Sequence, residues 1–219
     1  PDTMPSATRP ATQPDSLEAP KIPTTDQAVI ASGELAIPVA LGNAEDGSPY
    51  PLAVEIIPYG ASVSKVGIRD YHDSIENKVP YPIIEPVVEP AGDGQEKQYY
   101  SFVTEQIRFD NHNLNVPLDN VIWQKAEHTD ELSTWYVDVF LPDSDRPLAR
   151  IHKIYELKQQ PRREKTYDLG ISVKIENLSD EPLQVVLNQL GPNGFRMEDP
   201  RGRGGFDNVM AAVWESGGF

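Results

Sequence analysis

The sequence predicts an all-β protein, a large twisted antiparallel β-sandwich. Three observations point there. Residues 167–176 alternate without a break, Tyr167, Leu169, Ile171, Val173 and Ile175 against Asp168, Gly170, Ser172, Lys174 and Glu176; an unbroken period of two is a half-buried strand and not a helix. Proline occurs 21 times, often where it would break a helix. The remaining apolar runs are short and separated by turn residues, with no long amphipathic helix among them.

Residues 1–27 carry Pro1, Pro5, Pro10, Pro14, Pro20 and Pro23 among Thr, Ser, Ala and Asp. Such a segment buries too little apolar surface to offset its ordering entropy, and is expected to be a linker. Residues 28–219 form the expected sandwich domain. Residues 29–39 are strand-like, with Gly33 and Pro38 demoting the second half. Leu52, Val54 and Ile56 alternate up to a turn at Pro58-Tyr59-Gly60. Residues 63–71 follow as a strand. The prolines of 81–90 exclude a central strand there, and 91–98 reads as a polar loop. Residues 99–109, 121–125, 134–141 and 151–157 are further strands, the last two joined by a turn at 142–147. Residues 177–182 supply turn chemistry, after which Leu183, Val185 and Leu187 resume the alternation, so that 167–190 reads as a β-hairpin.

The formal charge of −15 opposes a nucleic-acid partner, which needs clustered Lys and Arg. The absence of cysteine removes disulfides, thiolate zinc sites and thiol nucleophiles. The longest apolar run, 209–214, has six residues, against about 18 for a membrane span. The chain has no initiator methionine or leader, and is read as an excised piece, truncated at its C-terminus, whose anchor lies elsewhere.

No constellation reads as catalytic, metal-binding or cofactor-binding. His72, His112, His128 and His152 lie in separate segments without metal-ligand spacing. Asp110-Asn111-His112-Asn113 reads as a polar turn. Asp143-Ser144-Asp145 lacks the rest of a calcium loop, and Gly202-Arg203-Gly204-Gly205 lacks the strand and Lys-Ser/Thr of a phosphate loop. Asn177-Leu178-Ser179 spells a glycosylation sequon, but falls in the turn after the strand of 167–176. Glu55, Glu105, Asp138 and Glu176 could each face a groove, yet sequence alone cannot pair them at glycosidase spacing. Arg196, Arg201 and Arg203, with Arg162, Arg163 and Lys165, are basic clusters on an acidic chain. The first three are candidate partner-binding residues.

Lys153-Ile154-Tyr155-Glu156-Leu157, then Tyr167-Asp168-Leu169, then residues 173–183 (VKIENLSDEPL) and Gln189-Leu190-Gly191-Pro192-Asn193-Gly194, resemble the large periplasmic domain of the YidC membrane-protein insertase family. Upstream, Gly60-Ala61-Ser62-Val63 with Asp70-Tyr71 is similar to an early strand of that domain. The specific part of the likeness runs from 151 to 194, and the Pro-rich leader fits the family's variable linker. The resemblance implies a galactose-mutarotase-like supersandwich on the periplasmic side of the bacterial inner membrane. It implies a parent protein that inserts and folds membrane proteins, alone or with the Sec translocon. It also implies that insertion belongs to membrane-embedded helices absent from this sequence, so no functional residue carries over. Sec components and nascent membrane proteins are the implied partners. The alternative is a carbohydrate binder or mutarotase-like enzyme on the same sandwich, which needs an acid–base pair such as Glu with His at a sugar cleft.

Overall fold

The computed structural model describes residues 37–43, 47–72, 79–91, 94–142, 144–159 and 167–196. The linker expected at 1–27 lies outside them, as do Arg162, Arg163, Lys165, Arg201, Arg203 and the glycine-rich run at 202–205. Among the described residues thirteen strands follow in order: β1 (Val39–Leu41), β2 (Leu52–Ile57), β3 (Ser62–His72), β4 (Pro80–Ile84), β5 (Val87–Pro90), β6 (Glu96–Tyr99), β7 (Thr104–Phe109), β8 (Leu114–Pro117), β9 (Gln124–His128), β10 (Leu132–Phe140), β11 (Pro147–Leu157), β12 (Leu169–Asn177) and β13 (Val185–Gln189). The helical content of the described residues is one 3-10 turn, Asp110–His112. No described helix is long and apolar enough to cross a membrane.

The strands form sheets ordered β1-β2-β3-β4, β12-β11-β10-β9 and β13-β7-β8, with β5-β6 a separate ribbon. Every pairing is antiparallel. One apolar core joins the three sheets: Leu52, Val54 and Ile56 from the first, Trp135, Val137 and Ile151 from the second, Ile107, Phe109 and Val116 from the third. Each such side chain contributes about 1.5–3 kcal/mol by leaving water, which makes the inward stripes the principal source of cohesion. On β10 the inward residues Ser133, Trp135, Val137 and Val139 alternate strictly with half-exposed ones. The buried Ser133 is the acceptor that Trp135 Nε1 needs, at 3.0 Å. On β2 the register shifts between Glu55 and Ile56, a bulge that lets Ile56 and Ile57 both be buried.

Several expectations require correction. The hairpin expected over 167–190 does not form. Its two strands exist, but β12 pairs with β11 from Ala149↔Asn177 to Leu157↔Leu169, and β13 pairs with β7 in another sheet. The connection leaves β12 with Leu178 N–H donating to Leu148 O of β11 at 3.0 Å. It is received by the third sheet where Asn111 Nδ2 donates to Pro182 O and Asp110 N–H to Gln184 O, both at 2.9 Å. Alternation specifies which face of a strand is buried and says nothing about which neighbour takes its edge.

The stretch expected as a polar loop at 91–98 contains β6, whose Glu96, Lys97 and Gln98 are all exposed and so show no apolar period. The strand expected from 99 begins only at Thr104, because Phe102 takes φ 59° and breaks the extended chain. The strand expected at 121–125 is displaced to β9 at Gln124–His128, while Trp123 turns fully into the core. The proline-rich stretch does stay off sheet centres: β4 ends its sheet and β5 belongs to the ribbon.

Candidate functional site

A groove of about 500 Å³ lies between the β5-β6 ribbon and the body of the protein. Its frame is a pair of tight chain reversals. Gly60 (φ 59°) and Ala61 (φ 41°) turn β2 into β3, and Phe102 (φ 59°) turns the ribbon into β7. Left-handed backbone at non-glycine residues is held only where its surroundings over-determine it, and two β11 side chains do that. Lys153 Nζ, fully buried, donates to Phe102 O, to Gly60 O at 3.3 Å and to Thr104 Oγ1 at 3.2 Å. Tyr155 Oη donates to Ala61 O. The three acceptors of Lys153 are neutral, and burial pushes its pKa down to about 7. Burial also raises the Tyr155 phenol well above its ordinary value.

The groove itself is aromatic and acidic. Tyr59, Tyr99 and Tyr100 line it with Glu96, Glu105 and Asp119, over apolar contacts from Val103 and Leu190. Lys97, the cation on its wall, sits 4.8 Å from the centroid of the Tyr99 ring, within cation–π range. Tyr100 Oη donates to Gln98 Oε1 at 2.7 Å. Burial raises the Tyr100 pKa, and neighbouring Tyr59 and Glu55 act in the same direction.

A second polar surface covers the outward face of β10-β11-β12. Arg150 grips Asp138 through both ends of its guanidinium, Nε to Oδ1 at 2.6 Å and Nη2 to Oδ2 at 2.7 Å, and lies 4.5 Å over the Tyr136 ring. The bond to Asp138 raises the Arg150 pKa further. His152 Nε2 meets Glu176 Oε2 at 3.2 Å.

The sequence-selected residues are thus dispersed. Glu105 lines the groove, Glu55 accepts from Ser64 Oγ on the outer face of the first sheet, and Asp138 and Glu176 are engaged on the second. Among the described residues no three His, Asp or Glu gather as a metal-ligand set. Asp110–His112 forms the 3-10 turn, closed by Asn113 at φ 49°. Arg196 lies beside β4, its N–H donating to Ile83 O at 3.1 Å and its guanidinium 5.1 Å from the Tyr81 ring. Arg201 and Arg203, grouped with it as candidate partner-binding residues, lie outside the described residues.

Sequence reading missed Lys153 as a buried group and the three groove tyrosines. For Lys153 a signal existed: it interrupts the inward stripe Ile151, Tyr155, Leu157. For the tyrosines none did, since the fold alone brings Tyr59 to the adjacent pair Tyr99-Tyr100. The chain matches no family model, no curated protein and no solved structure.

Proposed function

We propose that this chain is the extracytoplasmic accessory domain of a YidC-type inner-membrane protein insertase, a galactose-mutarotase-like supersandwich that acts by interaction or scaffolding. In this reading it lies on the periplasmic side of the bacterial inner membrane. Insertion is performed by membrane-embedded helices of the parent protein, and the domain meets Sec components or nascent membrane proteins.

The observation that supports the reading is where the residues of the resemblance fall. Lys153, Tyr155 and Leu157 are the consecutive inward positions of β11, and the first two fasten both chain reversals. Asn177 builds the turn after β12, its Oδ1 accepting from Ser179 N–H at 2.9 Å and its Nδ2 donating to Glu181 O at 2.7 Å. Asn193 Nδ2 donates to Tyr100 O at 2.9 Å, and Phe102 N–H to Gly191 O at 3.2 Å. Lys153, Tyr155 and the 191–193 run tie distant segments together while Asn177 shapes a local turn, and these are framework roles.

The decisive experiment is to read the complete frame that encodes this chain. One membrane helix upstream and about five downstream are expected of the insertase; a secretion leader with no spans would sink the proposal. For the basic residues, charge reversal at Arg196, Arg201 and Arg203 is expected to weaken capture by Sec components, and unchanged capture removes them from the interface.

A carbohydrate reading has one observation in its favour, the His152–Glu176 contact. A mutarotase places acid and base about the sugar ring, whereas these two groups satisfy each other on an open sheet face. Mutarotation of galactose or glucose is expected at background; turnover abolished by His152→Ala would favour the enzyme instead.

A further inference from the structure

The groove runs along β6. Glu96, Lys97, Gln98 and Tyr99 all line it and no residue of β5 does, so it lies on the side of β6 away from its partner strand. Among the described residues the ribbon has no third strand. Its register runs from Val87↔Tyr99 to Pro90↔Glu96, and Ala91 N–H donates to Gln95 O at 2.8 Å at its closed end. Antiparallel ladders alternate bonded and non-bonded pairs. Counting from the Ala91–Gln95 pair, Lys97 and Tyr99 exchange bonds with β5. The N–H and C=O groups of Glu96 and Gln98 therefore point outward into the groove, at strand spacing.

An unpaired edge of this kind is a template for another extended chain. Its surroundings select the chemistry of that chain. Glu96, Glu105 and Asp119 face it against the single ammonium of Lys97, and that ammonium already shows a cation resting on the Tyr99 ring. Tyr59, 42 % exposed, offers a further aromatic face. Acidic rim and aromatic walls together suit guanidinium and ammonium groups carried on alternate residues.

We infer that this groove binds an extended, Lys/Arg-bearing segment of another polypeptide, which adds to β6 as a third strand with its basic side chains between Glu105, Asp119 and the tyrosines. Such binding is independent of the insertase reading, because it depends on an edge that no other described strand pairs and on the groove's charge alone.

The test is fluorescence-anisotropy titration of the whole 219-residue chain with a labelled ten-residue peptide of alternating Arg and Val. Saturable binding is expected, with the amide resonances of Glu96 and Gln98 shifting on addition. The double variant Glu105→Gln, Asp119→Asn changes two exposed side chains and keeps the fold; it should weaken binding by about tenfold. A peptide N-methylated at every residue, which keeps no N–H donor on either edge, should not bind. Equal affinity for a Glu/Val peptide, or undiminished binding of the N-methylated one, would overturn the inference. So would a neutral oligosaccharide that shifts the groove resonances when the Arg/Val peptide does not. None of these results depends on whether the parent protein has membrane helices.

Discussion

Lys153 and Phe102 are joined across the layers of the sandwich: the ammonium of a β11 residue caps the carbonyl of a residue held at φ 59°. The same ammonium reaches Gly60 O, at φ 59° in the other reversal. One buried cation thereby fixes both walls of the groove.

That cation makes stability depend on pH. In the unfolded chain Lys153 has an ordinary pKa near 10.5, and burial lowers it to about 7 in the fold. Between these values the unfolded state binds more protons, so stability rises with pH from 7 toward 10.5, by up to about 5 kcal/mol for the full shift. Tyr155 works the other way: its raised pKa stabilises the fold below about 10, and that stability is lost as the unfolded phenol ionises above it. Urea midpoints should therefore climb between pH 7 and 9.5, and Lys153→Met should abolish the climb. A flat wild-type profile would refute the assignment.

Tyr155→Phe removes a single hydroxyl and leaves the ring in place. The carbonyl of Ala61, itself fully buried, then loses this donor. The expected loss is about 1–3 kcal/mol, read as a drop of several degrees in melting temperature.

Gly194 and Gly191 give a matched pair. Gly194 has φ +66° and its absent Cβ would lie 1.8 Å from Glu85 O, a backbone atom, whereas a Cβ at Gly191 meets nothing within 4 Å. Gly194→Ala should cost at least about 1–3 kcal/mol and free the chain that pairs Glu85 N–H with Gly194 O at 3.0 Å. Gly191→Ala should be close to neutral. Limited proteolysis near residue 196 would report the difference.

Arg150 and Asp138 form a two-pronged contact at a partly exposed site, 36% and 12% accessible. Arg150→Ala should destabilise by about 1 kcal/mol after solvent screening. Arg150→Lys should not restore it, because an ammonium cannot reproduce the fork geometry. Chemical denaturation of the three proteins at one salt concentration settles the point.

By itself the sequence determined the fold class, the turns at Pro58–Gly60 and Asn177, and the burial phase of β2 and β12. Those are local matters: period-two patterning and turn chemistry act over a few residues. Tertiary structure decided the rest. It gave the edge of β12 to β11 and that of β13 to β7, though their alternation reads as one hairpin, because backbone pairing is chemically the same with any neighbour and only the packing of three sheets on one core selects among them. It made a strand of Glu96–Tyr99, whose polar residues carry no apolar period. It also turned Lys153 inward, where its acceptors come from residues 60, 102 and 104, and it assembled the groove from turns far apart in the chain. Sequence periodicity records which side of a strand is dry; what stands opposite that side is set by the packing of the whole chain.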